Sequence, residues 1–346
     1  MNKGKTGIVL YIEILAAALV VAAGLLFGAG KLAVVITDRA NAYYRPFYEE
    51  GDKGFSSPWY SNGLHIVDEG FVNELSAMKK QEHNIVVLGS SLSIIPLLQE
   101  EVLLDEDYQY AFFVCGNGSY TSDRIMKNLL DTVDAWHEAD IAKYEVSFST
   151  FRDTKTTITE TTLDKWGKYS VDDACNVREN AAVLAPAYWI NLQLLKIQNV
   201  WELAGSYLQQ DEEMLETGKS VRAAGNFKNN YFNYDFVAST CEITDEMQQI
   251  VLSDIGSLSL EHATVVELSP FPDGLAQTEY GKEYMKYVDS TLIPYLQEQG
   301  IPYFDYRTDY RDEEYADGVH LSYQAAVRYT RQLNQDLNHL IDENQK

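Results

Sequence analysis

The sequence predicts an α/β protein: a doubly wound, five-stranded parallel sheet with a helical insertion and an N-terminal apolar helix. Three observations carry this. From Asn84 onward, short apolar runs alternate with amphipathic stretches, as when strands and helices take turns across a parallel sheet covered on both faces. Between the third and fourth runs lie about a hundred residues that fit no such unit. Near the N-terminus, Ile14–Gly30 is 17 residues without a charge.

That N-terminal stretch comes first. Accepting Glu13 extends it back to Ile8, and at about 1.5 Å per residue it approaches the roughly 30 Å hydrocarbon layer. Lys3 and Lys5 precede it without a compensating acid, so the short N-terminal tip is expected to stay cytoplasmic and the remainder to face outward. A cleaved signal peptide has a shorter apolar core, about 7–15 residues, ending in small residues. Gly28-Ala29-Gly30-Lys31 matches that poorly. Residues 1–37 are therefore expected to be a tip and an uncleaved single-pass anchor, meeting the bilayer through 8–36. Residues 38–83 read as a loop-rich, aromatic tether, and 84–346 as the main domain.

Within the domain, Asn84–Leu88 is the first strand, followed by a helical stretch through Leu103. Tyr110–Val114 is the second strand and Thr121–His137 a helix. Tyr144–Phe148 is the third strand and Thr264–Leu268 the fourth, with a helix over 277–298. Pro302–Asp305 is a short fifth strand and Tyr323–Leu340 a closing helix. Residues 151–260 read as a mainly helical insertion, with helical periodicity over Arg178–Lys219 and again near Thr244–Ile255. Long insertions on such sheets gather at the carboxyl ends of the strands, where they shape a cleft.

Composition narrows the function. There are 27 Lys+Arg against 52 Asp+Glu, a net charge of −25. Removing Lys3, Lys5, Lys31 and Glu13 leaves 24 against 51, so the part beyond the anchor carries −27. Binding nucleic acid by bulk charge needs a basic face, and this composition excludes it. Cys115, Cys175 and Cys241 are too few for a disulfide framework. No His/Cys/carboxylate group has metal-ligand spacing, and no cofactor is expected. Gly116-x-Gly118 resembles the start of a dinucleotide loop, but Thr121 holds its sixth position. Thr217-Gly218-Lys219-Ser220 resembles a phosphate loop, but Glu213 stands where its first glycine belongs.

Three segments at strand ends can carry chemistry. Gly89-Ser90-Ser91-Leu92 follows the first strand, and a serine on a strand-to-helix turn has its hydroxyl at the sheet's carboxyl edge. The plainer reading of such a serine is a helix cap. Asp317-Gly318-Val319-His320 follows the fifth strand. A nucleophilic serine needs a base, and the base an orienting carboxylate. Of the six histidines, only His320 has an Asp three residues before it on a strand-to-helix loop. Gly116–Ser119 follows the second strand, and small residues there let backbone N–H groups approach a forming oxyanion.

These segments, in this order and at these places, resemble the blocks of the SGNH/GDSL hydrolase superfamily: Gly-Asp-Ser-Leu, a second-block glycine and a late Asp-x-x-His. The resemblance covers about 84–150 and 260–340. It implies a flavodoxin-like three-layer fold with Ser91 as nucleophile, His320 as general base and Asp317 as its orienting acid. The amides of Ser91 and of the Gly118–Ser119 turn would form the oxyanion hole. Two departures stand out: Ser90 replaces the family aspartate, and no third-block asparagine follows the third strand, where Ser149-Thr150-Phe151-Arg152 stands instead. Thr150 and Arg152 are the available substitutes. With its anchor and its Gly-Ser-Ser turn, the chain is most similar to DltD-like envelope proteins. That similarity implies an extracytoplasmic serine esterase or acyltransferase working on a cell-envelope polymer beside a membrane-bound O-acyltransferase. The acyl group, D-alanyl or acetyl, stays open. A non-catalytic envelope scaffold and a secreted esterase are the alternatives.

Overall fold

The computed structural model describes residues 3–49, 75, 77–94, 108–114, 119–152, 169–172, 174–180, nine positions within 186–200, 234–315 and 318–344. Five strands form its central sheet: β1 (His83–Gly89), β2 (Tyr108–Val114), β3 (Ile141–Val146), β6 (Thr264–Leu268) and β7 (Tyr303–Asp305). Their order across the sheet is β2-β1-β3-β6-β7 and every pairing is parallel. A separate antiparallel pair, β4 (Tyr169–Val171) and β5 (Val177–Glu179), lies within the insertion. The five sheet strands coincide with the five apolar runs, with shifted ends. The third begins and stops earlier than expected, because Phe148–Phe151 coils into a 3₁₀ turn. Pro302 stays outside the ladder apart from accepting Val266 N–H, as a residue with no N–H to donate must.

Alternation along each strand divides the core. Val86 and Leu88 of β1, Phe113 of β2 and Tyr144 of β3 face one side. Ile85, Val87, Phe112 and Ile141 face the other. The first side is covered by α3 (Tyr120–Thr132), α5 (Asp245–Glu261) and α7 (Glu279–Tyr287), through Ile125, Leu129, Val251, Ile255 and Tyr284. The second is covered by α9 (Tyr323–Asn344), whose Ala325, Tyr329, Leu333, Leu337 and Ile341 recur every four residues. That spacing keeps one helical face on the sheet. Among the described residues there are also the helices α1 (Lys3–Glu49), α2 (Ser91–Ile94), α4 (Tyr234–Ser239), α6 (Asp273–Ala276) and α8 (Ile293–Gln299), and helical positions within 186–200.

Several expectations need adjusting. The tether starts as helix, since α1 runs on to Glu49 and no glycine falls between Gly30 and Gly51. The helix expected to reach His137 stops at Thr132; Asp134 takes φ +53°, which an α-helix cannot continue through. Arg178 belongs to strand β5, held by a turn in which Asp172 accepts from Ala174 N–H and Asn176 N–H. Helix α5 packs on α3 and β6 and is the covering helix of the β3-to-β6 crossover, so the sheet's own architecture resumes before residue 260. The closing helix runs four residues past Leu340. The segments 95–107 and 201–233, where further helix was expected, lie outside the described residues, as does the Thr217–Ser220 tract.

The candidate nucleophile–base pair

In this strand order the chain turns back between β1 and β3: the strand after β1 lies on one side of it and the next on the other. Ligands of open α/β sheets bind in the crevice at the carboxyl ends of two such strands. Gly89-Ser90-Ser91 leaves β1 at that point. Leu88 pairs with Tyr144 near the carboxyl ends of β1 and β3, and Ser91 opens the helix that follows β1.

Ser91 and His320 meet there. His320 Nε2 lies 2.9 Å from Ser91 Oγ, although 229 residues separate them. This is a full hydrogen-bond distance. Ser91 is almost fully buried and His320 half-buried. The His320 loop is clasped at its base: Tyr315 bridges Leu321, and Ser322 N–H donates to Glu314 C=O at 2.8 Å. Gly318 within it has φ +94°, a backbone conformation available to glycine and strained for a residue with a Cβ. Arg328 braces the clasp through Glu314 (2.6 Å) and the ring of Tyr310 (4.4 Å). Asp317, expected to orient the imidazole, lies outside the described residues, as do Gly118 and Cys115. Ser119 is described: its hydroxyl accepts from Ser122 N–H and caps α3.

The serine turn hangs from Glu145. Ser90 N–H and Ser90 Oγ donate to its two carboxylate oxygens at 2.8 and 2.7 Å, and Ser93 Oγ donates to it as well. Ser90 Oγ also accepts Leu92 N–H at 3.1 Å. The carboxylate lies so close to Gly89 that a Cβ there would collide with it, which accounts for the glycine before the two serines. Behind Glu145, Lys143 donates to Ser93 Oγ (3.3 Å) and pairs with Glu267, which Tyr329 of α9 also reaches at 2.5 Å. Lys143, Glu145 and Glu267 are all buried. Buried charge persists where it is paired and hydrogen-bonded. This chain of contacts runs from the serine turn to the helix that follows the His320 loop. Motif reading missed it. Its signal is three charged residues within strands otherwise built of buried apolar side chains.

Past β3, Thr150 Oγ1 accepts Ser147 N–H at 2.9 Å, and Ser147 Oγ and Ser149 Oγ lie 3.0 Å apart. Thr150 is thus engaged in its own turn. Arg152 sits 5.8 Å over the ring of Phe148 and its backbone bridges Cys241. Ser269-Pro270-Phe271-Pro272, directly after β6, buries Phe271 against Tyr284 with the rings stacked at 4.7 Å.

On the opposite face of β3, Asp123 is buried in the first turn of α3. Burial, and then the charges of Glu145 and Asp254, push its carboxyl well above the usual range. Asp254 is also raised by burial, against the opposing pull of Arg124, which grips it with three donor contacts of 2.8–3.1 Å.

Among the described residues, Tyr11–Ile36 of α1 is the one helix long and apolar enough to cross a membrane, with a mean hydropathy of 2.3. No protein-family model matches the chain, and no curated protein matches it.

Proposed function

We propose that the protein is a membrane-anchored, extracytoplasmic serine esterase or O-acyltransferase of the SGNH type, acting on an acyl ester of a cell-envelope polymer. The observation that carries the reading is the 2.9 Å contact between Ser91 Oγ and His320 Nε2, made at the sheet edge where such folds bind ligands. The five-stranded order with α9 on one face and α3, α5 and α7 on the other supports the flavodoxin-like three-layer form.

In the proposed reaction Ser91 Oγ attacks the ester carbonyl carbon as His320 Nε2 takes its proton. The carbonyl electron pair moves onto oxygen, facing the backbone amides of Ser91 and of the Gly118–Ser119 turn. Collapse of that tetrahedral species expels the alcohol, which receives the proton back from His320. An acyl ester on Ser91 remains. A hydroxyl of the acceptor, or water, gives its proton to His320 and attacks this ester; collapse expels Ser91 Oγ, which takes the proton back from His320 and is free again. Asp317 takes the part of the orienting acid. Transfer and hydrolysis differ only in the second nucleophile. An anchor through 8–36 favours transfer beside a membrane-bound O-acyltransferase.

The test is covalent labelling of the full-length protein in membranes with a fluorophosphonate. Wild type is expected to label at one site, Ser91→Ala not at all, and His320→Ala far more slowly. Labelling of Ser91→Ala at the wild-type rate overturns the assignment. A wild type that stays unlabelled while a control esterase reacts points to the non-catalytic scaffold instead.

A further inference from the structure

Helix α1 is not bare along its whole length. From Tyr11 to Leu25 every residue is exposed. Beyond that, one stripe is covered: Leu26 and Val34 are half-buried, and Gly30 and Ala33 are buried. These positions fall at i, i+4, i+7 and i+8, a single helical face. The described residues within 186–200 are helical, and two of them, Trp189 and Gln193, touch α1. Trp189 stacks on Phe27 with ring centroids 6.5 Å apart. The Gln193 side chain, 3% exposed, presses on Gly30 so closely that a Cβ there would strike its amide oxygen. Small residues that admit a close approach, with an amide side chain in the contact, are how helices associate within lipid.

The depth of this contact matters. Residues 11–36 rise about 39 Å, so a centred layer of roughly 30 Å leaves about 4–5 Å beyond each end. The stretch from Leu26 to Ala33 then lies about 22–33 Å from Tyr11, inside the layer. Any element packed on it shares that depth. Two large apolar side chains of this element, Ile190 (44%) and Leu194 (51%), are exposed. They are four residues apart, so they share a face, while Trp189 and Gln193 touch α1.

We propose that the helical stretch within 186–200 is a second membrane-embedded element, packed on the last third of the α1 span with Ile190 and Leu194 among the lipid acyl chains. The inference rests on the reading that α1 crosses a membrane. The insertion leaves the sheet just after Arg152, at the edge that holds Ser91, so this element ties that edge to the bilayer and gives the domain two attachments in place of one.

The test uses the full chain in phosphatidylcholine vesicles, with Cys115, Cys175 and Cys241 replaced by Ala. An environment-sensitive dye is placed on single cysteines at Leu19→Cys, Ile190→Cys, Leu194→Cys or Leu260→Cys. Leu19 is exposed on α1, and Leu260 is 89% exposed near the end of α5, just before β6. Acyl-chain-brominated lipid is expected to quench the dye at 190 and 194 as strongly as at 19, and to leave 260 untouched. Quenching at 19 with 190 and 194 behaving like 260 overturns the second element while leaving the anchor in place. No quenching at 19 overturns the anchor, and the inference with it. A shielded dye at 190 that escapes quenching, together with a disulfide between two Ile190→Cys copies, replaces lipid by a second copy as the occupant. Adding Gly30→Val is expected to reduce quenching at 190 and 194 without changing 19; unchanged quenching overturns the docking on α1.

Discussion

Glu145 is expected to be worth more to the reactivity of Ser91 than its distance from any substrate suggests. It accepts three hydrogen bonds from the turn that carries Ser91, two from Ser90 and one from Ser93. In Glu145→Ala the two hydroxyls can turn to other acceptors, but the Ser90 N–H cannot. A buried donor left unsatisfied costs about 1–3 kcal/mol. With partial loss at the two serines, the expected destabilisation is about 2–4 kcal/mol. The turn is then free to shift, and a displacement of about 1 Å of a reacting group can cost about 10²-fold in rate. Urea unfolding of the full chain in detergent gives the first quantity, and the fluorophosphonate labelling rate of the folded fraction gives the second. Leu333→Ala is the control. It removes a fully buried side chain from the sheet-facing row of α9 and should cost about 2–5 kcal/mol, yet it takes no hydrogen bond from the turn and should label normally. If Glu145→Ala labels within about threefold of wild type, a difference below about 0.7 kcal/mol, the carboxylate does not position Ser91 and the reasoning fails.

Three other predictions rest on separate features. The raised carboxyl of Asp123 means that the folded state holds a proton the unfolded chain releases near pH 4. Wild type therefore loses stability as pH climbs from about 4 towards the folded value. Asp123→Asn should match wild type in acid and melt progressively higher than it towards neutral pH; a melting-temperature difference flat between pH 4 and 8 contradicts this. Gly318→Ala places a Cβ on a backbone at φ +94°, so a loss of about 1–3 kcal/mol and slower labelling are expected from calorimetry and the fluorophosphonate assay. Last, the −27 carried by residues 38–346 should, on the proposed function, draw in a cationic aminoacyl ester. Its KM should rise with salt, as the screening length falls from about 10 Å at 0.1 M to about 3 Å at 1 M, while that of a neutral acetyl ester stays level. Equal salt dependence would leave the acidity as a matter of solubility.

What was legible in the sequence was whatever repeats with a period or sits at a boundary. The sheet strands are each short apolar runs beside turn residues, so their existence was readable. Their ends were not, because Ser147–Phe151 and Asp134 are decided by local hydrogen bonds and a single left-handed residue. The β4–β5 pair was missed for a related reason. Its strands are three residues each, too short for any period, and the turn joining them depends on one Asp172 side chain. Ser91 and His320 were legible because each stands on a strand-to-helix turn, where a side chain is aimed at the sheet's edge rather than at a neighbouring helix.

The support beneath them was hidden by the rule that made the strands visible. Lys143, Glu145 and Glu267 interrupt apolar runs, and reading for hydrophobicity passes over an interruption. Yet an ionisable group inside a fully covered parallel sheet has to find partners, since unpaired it would cost several kcal/mol. On β3, Lys143 and Glu145 are two apart and so share a face. On β6, Glu267 pairs in register with Glu145. Two acids side by side on one face each need a partner: Lys143 pairs with Glu267, and the hydrogen bonds of the serine turn go to Glu145. Once strand order is fixed, the carboxylate nearer the end of β1 is left to the serine turn and the other to α9. The serine turn and α9 are thus linked through three charges in the sheet, Glu145 held by the turn's hydrogen bonds and Glu267 by Lys143 and Tyr329.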